Sequence, residues 1–210
     1  MEPDFWRQRW TENQIGFHKS VANPLLIEHL PALGLAPGAR VFVPLCGKTL
    51  DIPWLMSQCI RVVGAELSAL AVEQLFDEMG VEPQISNLGP LIHYAAEGVD
   101  IFAGDIFDLT AEMLGDVDAV YDRAALVALP GDMRARYASH LADITARAQQ
   151  LVICFDYDQS QMNGPPFSVS AAEVERVHGA NYALNALHTG PLTGGLKGRV
   201  EAIETVWLLR

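Results

Sequence analysis

The stretch "RVFVPLCGKTLDIPWL", residues 40–55, decides how this chain is read. An apolar run from Val41 to Leu45 reaches a turn at Gly47 and continues into a helical pattern from Asp51. Strand, glycine turn and helix in that order open the nucleotide-binding α/β folds. Gly47-Lys48-Thr49 also resembles the end of a phosphate loop, whose pattern is G-x-x-x-x-G-K-[ST]. The first glycine of that pattern belongs at position 42, where the chain carries Phe42. Without it the backbone amides cannot wrap a triphosphate, and Lys48 reads as a solvated loop residue.

Working outward, "RVVGAEL" is a second strand that ends at Glu66, 19 residues past Gly47. In these folds an acidic residue about 20 residues beyond the glycine turn accepts the ribose hydroxyls. A carboxylate suits a vicinal diol because it accepts at both oxygens. Leu45 and Thr49 occupy positions where a dinucleotide fingerprint would want more glycine, so a pyrophosphate loses its close backbone approach. A ligand with an adenosine and no phosphate, such as S-adenosylmethionine, needs less. The third sheet strand, "VDIFAGD", ends at Asp105 and Ile106. There an acidic group can meet an adenine amine and an aliphatic side chain can cover the ring. Taken alone, Gly-Asp is a common turn; its position at a third strand end gives it weight.

The remaining chain alternates strand and helix patterns, which predicts a mostly parallel sheet covered on both faces. Ser68 caps "ALAVEQLFDEM", and Asn23-Pro24 opens "LLIEHL" as N-cap and first helical residue. "LIHYAAEGVDIFAGD" reads as a hairpin, "VDAVYD" and "QLVICFDYD" as further strands, and "YALNALHT" and "RVEAIETVWLLR" as a terminal antiparallel pair. The 210 residues suit one domain: a helical lid segment over 1–35 that precedes any strand, then an α/β core over 36–210. A net charge of −12 without a basic cluster argues against nucleic acid as a partner. No apolar run is long enough to span a membrane, and the N-terminus lacks a signal-peptide core, so the protein reads as cytoplasmic. Cys46, Cys59 and Cys154 are too dispersed for a disulfide framework or a zinc site.

Several motifs are more specific than the fold. "FWRQRW…GFH", "RVFVPLCGKTLDIPWL", "VVGAELS", "IFDL", "YDRAALVAL" and "GPPF" follow one another between about residue 5 and residue 178. In this order they resemble the thiopurine S-methyltransferases, the bacterial branch in particular. The resemblance implies a class I S-adenosylmethionine-dependent methyltransferase: a Rossmann-like seven-stranded sheet, mostly parallel with one antiparallel strand. It implies S-adenosylmethionine as methyl donor and thiopurines or related aromatic thiols as acceptors. Carried over residue by residue, cofactor contacts fall on Trp10, Leu45, Glu66 and Arg123, with Gly47 in the turn. Trp6, Asp105 and Ile106 are implied as further contacts, and Phe17 as a substrate contact. Asp105 replaces the serine of animal relatives. Bacterial relatives are also associated with methylating selenium and tellurium compounds, and with tellurite resistance. Other small thiols or halides are further alternatives, and a non-catalytic S-adenosylmethionine-binding module is the alternative from another class. The chain is expected to act as a monomer on a small thiol or chalcogen acceptor.

Each of these residues has a plainer reading. Trp6 and Trp10 share a helix face. They are either a packing stripe or a lid whose indoles attract a sulfonium. Arg123 either pairs with Asp122 or faces the cofactor or an anionic substrate. No carboxylate is placed to orient His18, so it is not read as a base. Cys46 reads as a small buried residue against backbone, and Asp156 and Asp158 lack further metal ligands. An aromatic thiol ionises readily, so the site needs no catalytic acid or base: alignment and exclusion of water suffice.

Overall fold

In the computed structural model, residues 3–16 and 18–210 are described. Phe17, expected to touch the substrate, lies outside them. Among the described residues nine strands form one sheet in the order β3-β4-β5-β2-β1-β6-β7-β9-β8. These are β1 (Arg40–Pro44), β2 (Arg61–Glu66), β3 (Gln84–Leu88), β4 (Leu91–Ala96), β5 (Val99–Ala103), β6 (Ala119–Arg123), β7 (Gln149–Asp156), β8 (Leu184–Pro191) and β9 (Ile203–Leu209). The centre, β5-β2-β1-β6-β7, is parallel, and β9 runs against both β7 and β8. From β5 to β8 the sheet therefore has the expected seven strands, with β9 alone reversed. The expectation falls short at the other edge, where β4 pairs antiparallel with β5 and β3 with β4. The hairpin arm β4 is legible in the sequence. The added strand β3 is not, because Gln-Ile-Ser-Asn is wholly exposed and has no alternating apolar face.

The helices that cover the sheet are α1 (Pro3–Thr11), α2 (Pro24–His29), α3 (Asp51–Ser57), α4 (Ala69–Met79), α5 (Ala111–Leu114), α6 (Gly131–Ile144) and α7 (Ala171–His178). One sheet face packs Phe42, Val120 and Val152 against Leu114, Tyr137, Leu141 and Val174 from α5, α6 and α7. The other packs Val41, Val43, Tyr121 and Ile153 against Leu26, Ile52, Leu55, Leu75 and Phe76 from α2, α3 and α4. Alternation along each strand sends successive residues to opposite layers. Phe42 is fully buried, and truncating such a ring costs about 3–5 kcal/mol. Among the described residues no helix is long and apolar enough to cross a membrane.

The caps form where the sequence places them. Ser68 Oγ accepts from Ala71 N, and Asn23 Oδ1 accepts from Leu25 N at 2.9 Å. The 1–35 segment divides into two unlike parts. Leu26 and Leu33 are in the core, Gln149 Nε2 donates to Leu33 O, and Asn23 N donates to Asp51 Oδ1 at 2.7 Å. From Asn23 onward the segment is therefore anchored in the core. α6 ends at Ile144. Thr145 Oγ1 turns back to Leu141 O, and Ala146 and Arg147 adopt left-handed backbone.

Candidate active site

The parallel strands end on one side of the sheet, and strand order reverses at β1, between β2 and β6. In open α/β sheets the ligand crevice lies at this point. β1 stops at Pro44, and the chain turns through Leu45 (φ 46°) and Gly47 (φ 54°), both left-handed. Cys46 N donates to Ala65 O at 3.0 Å, fixing the turn to β2. Glu66, the last residue of β2, completes the tie. Its Oε2 accepts from Gly47 N at 2.8 Å, and its Oε1 from Ser68 N at 2.9 Å. One carboxylate thus joins the turn to the first residues of α4, while Gly104 N binds the Glu66 carbonyl from the end of β5. Burial pushes the Glu66 carboxyl up, and the backbone N–H groups of Ser68, Gly47 and Leu67 pull it back. An ionised carboxylate has about four lone-pair sites, so each oxygen retains one beyond its backbone bond.

Trp10 lies on this turn. A Cβ added at Gly47 would stand 2.9 Å from Trp10 Cζ2. The indole occupies space that glycine alone leaves open, and Trp10 is only 4% exposed. Trp6 is half-buried and meets Phe5 edge-on, with centroids 5.3 Å apart. The two indoles share α1, but only Trp10 is sealed against the turn. Asp105 is exposed and caps the short helical turn of residues 106–108, accepting from Phe107 N at 3.0 Å. Ile106 is buried, and its carbonyl meets His140 Nε2 at 2.8 Å.

Arg123 ends β6 at the same side of the sheet, half-buried, with a buried Nε that finds no acceptor among the described residues. The ion-pair reading with Asp122 does not hold. Asp122 points to the opposite layer and accepts from Leu126 N at 3.1 Å and from Tyr137 Oη at 2.7 Å. Neighbours on a strand face opposite ways, so the pair could not share a face. Lys48 is likewise not solvated; its Nζ meets Glu78 Oε1 of α4 at 2.6 Å. His18 lies near this pair. Partial burial holds its imidazole below its usual value, Lys48 and Arg123 lower it further, and Glu78 opposes them. Cys46 is buried, and burial followed by the Glu66 charge pushes its thiol well up, so it stays protonated and inert.

Other residues also shape the site. Asp51 receives Asn23 N and, at 3.0 Å, Tyr121 Oη, pinning the start of α2 to the sheet. Its position at a helix start reads as an ordinary first-turn acid. In "GPPF", a Cβ at Gly164 would strike the Phe167 ring, and Phe167 N donates to Val127 O at 2.6 Å. This loop is thereby held against the turn that follows β6. A cleft of about 460 Å³ lined by residues 34–39, Asp118 and Gln149 lies at the opposite end of the strands and gathers none of these groups.

Known proteins resemble this chain over nearly its full length. The family model described as Thiopurine S-methyltransferase matches residues 1–204. A thiopurine S-methyltransferase of Xanthobacter autotrophicus is 59% identical over 210 residues, covering 100% of this chain and 99% of that one. One from Teredinibacter turnerae is 48% identical over 100% of this chain and 97% of its own. Among solved structures, the Burkholderia thailandensis 1,6-didemethyltoxoflavin-N1-methyltransferase, bound to S-adenosylhomocysteine, superposes with a TM-score of 0.67. It is 14% identical, covering 99% of this chain and 86% of that one. The magnesium protoporphyrin IX methyltransferase of Synechocystis gives 0.64 at 16% identity, with full coverage of both chains. At these identities the two structures speak for the fold, and the sequence matches establish that the chain belongs to the thiopurine S-methyltransferase family.

Proposed function

We propose that this protein transfers a methyl group from S-adenosylmethionine to the sulfur of a thiopurine or related heteroaromatic thiol. The observation that carries the reading is the Glu66 carboxylate, buried at the end of β2 and already aimed by Gly47 N and Ser68 N. Such a carboxylate suits a ribose diol, and family membership selects the methyl donor among adenosine ligands. The residues present fit that donor. Glu66 takes the ribose hydroxyls, Asp105 and Ile106 flank the adenine, and Leu45 and Gly47 border the turn. Trp10 and Trp6 supply aromatic faces on the lid side, where a sulfonium gains about 0.5–2 kcal/mol from an indole.

When bound, the donor supplies an electrophilic methyl on a cationic sulfur. The chain supplies alignment. Arg123, with its buried Nε unused, favours an anionic acceptor, and a thiolate is one. An acceptor that ionises by itself asks for no base, and the lowered His18 stays a neutral neighbour at pH 7. Holding the reactants in near-attack geometry is then the main protein contribution. Phe17 remains the proposed substrate contact.

The lid reading applies to α1 and the residues up to Asn23. The three cysteines are free, which supports a reducing, cytoplasmic setting. Selenium or tellurium acceptors would use the same alignment, though no feature of the site favours them over thiols.

The test is a transfer assay with labelled S-adenosylmethionine and a panel of 6-mercaptopurine, thiophenol, selenite and tellurite. The reading expects labelled S-methyl product from the aromatic thiols. Binding of the donor without transfer to any thiol would overturn it in favour of a binding module.

A further inference from the structure

Arg123 closes β6, Glu204 lies near the start of β9, and the register of the sheet relates them. Arg123 pairs with Ile153, Ile153 with Val206, and Val206 with His188. Residues paired across strands share a face. Alternation along β9 returns Glu204 to the face of Val206. Because β9 runs against β7, its first residues lie at the carboxyl ends of the parallel strands, with Glu66 and the Gly47 turn. The segment after α1 brings Lys19 to the same place. Burial pushes the Glu204 carboxyl up, and the charges of Arg123, His188 and Lys19 pull it back. These four groups are therefore electrostatic neighbours.

They do not, however, satisfy one another. Among the described residues the Glu204 carboxylate has no hydrogen bond or ion pair, and Arg123 Nε is buried without an acceptor. Arg123 Nε is buried and unsatisfied, which folds seldom retain without a use, and beside it the half-buried Glu204 carboxylate keeps acceptor capacity of its own. A flat ligand satisfies both if it offers an anionic edge to the guanidinium and an N–H to the carboxylate. A heteroaromatic thiolate with a ring N–H has both edges in one plane. A plain benzenethiol has only the first.

We propose that Glu204 is a specificity-determining residue for the acceptor: it accepts a hydrogen bond from a ring N–H of a heteroaromatic thiol whose anionic edge faces Arg123. This rests on the methyl-transfer reading and adds to it which thiols the site prefers. A site built to bond an N–H discriminates against ligands that lack one, because its own buried group is then left unpaired.

The experiment compares wild type, Glu204→Met and Glu204→Asp on 6-mercaptopurine, which has ring N–H groups, and thiophenol, which has none. Glu204→Met is expected to lower kcat/KM for 6-mercaptopurine by about 10- to 100-fold, mainly through KM. The thiophenol value should move by less than about threefold. Glu204→Asp keeps the carboxylate and should recover part of the 6-mercaptopurine preference. It also carries the test if the Met variant fails to fold. Calorimetry with hypoxanthine, on protein saturated with S-adenosylhomocysteine, reads the same N–H without turnover and should weaken in parallel. Losses equal for both thiols, or none for either, would leave Glu204 as a screen for Arg123 and overturn the proposal. Wild-type protein that methylates neither thiol sinks the methyl-transfer reading itself, and this one with it.

Discussion

Both oxygens of Glu66 are engaged by backbone N–H groups, Gly47 N on one and Ser68 N on the other. This makes an amide a poor substitute. Glutamine would present its NH₂ to one of the two N–H groups, placing donor against donor in a buried site. Glu66→Gln is therefore expected to weaken S-adenosylhomocysteine binding about as much as Glu66→Ala. The expected loss is about 1.5–3 kcal/mol, or roughly 10- to 150-fold, for charge-assisted hydrogen bonds. Calorimetric titration reads it, and a Gln variant that binds like wild type would show the second acceptor to be idle. The place of Glu66 beside the Gly47 turn was legible from spacing alone, because strand, turn and strand fix the distance between Gly47 and the next strand end. Arg123 was legible as a strand-end cation, but its partner was not. Which way a strand residue faces depends on the neighbouring layers, and the sequence does not show that Asp122 turns toward Tyr137. Lys48 was misread for the same reason, since Glu78 is 30 residues away and meets it only through the packing of α4.

At the scale of elements, α1 and α2 are attached in different ways. α1 reaches the core through Trp10 on the Gly47 turn, whereas α2 is held by buried Leu26, by the Asn23–Asp51 hydrogen bond and by its own cap. Deleting residues 1–20 removes the first attachment and leaves the second intact. The truncated protein is expected to keep wild-type far-UV circular dichroism and a cooperative melt. Its affinity for S-adenosylhomocysteine should fall and its methyl transfer should drop to a small residue. Turnover at the full-length rate would show that α1 is not a lid. Deleting residues 1–35 should instead destroy the cooperative melt, because it strips Leu26 and Leu33 from the core. Elements with strong local signals were legible to the residue: α4 runs Ala69–Met79 between Ser68 and Gly80, cap to cap. Those without such signals were not. β3 forms because β4 offers it an edge, a tertiary cause that leaves no period in its own sequence.

At the scale of the whole molecule, composition gives a net charge of −12 but not where individual charges are buried, and the buried ones govern the pH dependence of folding. Asp122 and His178 sit in the layer of α6 and α7, each essentially inaccessible. Burial raises Asp122 from 3.8 to about 6, with Tyr137 and the backbone of Leu126 and Ala125 opposing. Burial alone lowers His178 from 6.5 to about 4, and neither ring nitrogen has a partner among the described residues. The folded state thus prefers both groups neutral, with opposite consequences. The Asp122 contribution is fully present below pH 3.8 and is lost as pH rises through about 6. The His178 contribution is present above pH 6.5 and is lost as pH falls through about 4. Each is worth about 3 kcal/mol at most across its window, at 1.36 kcal/mol per pKa unit. Between pH 4 and 6 the two slopes oppose, so wild-type stability should change little from this pair. Single variants separate them. The stability difference between Asp122→Asn and wild type should climb from pH 4 to 6 and then level. The difference for His178→Phe should be largest near pH 4 and shrink toward pH 6.5, since the ring replaces an unpartnered imidazole with one that cannot charge. Urea unfolding at half-unit pH steps gives both curves. Differences flat across pH for both variants would mean that neither group is held neutral by the fold, and the opposed slopes would have to be abandoned.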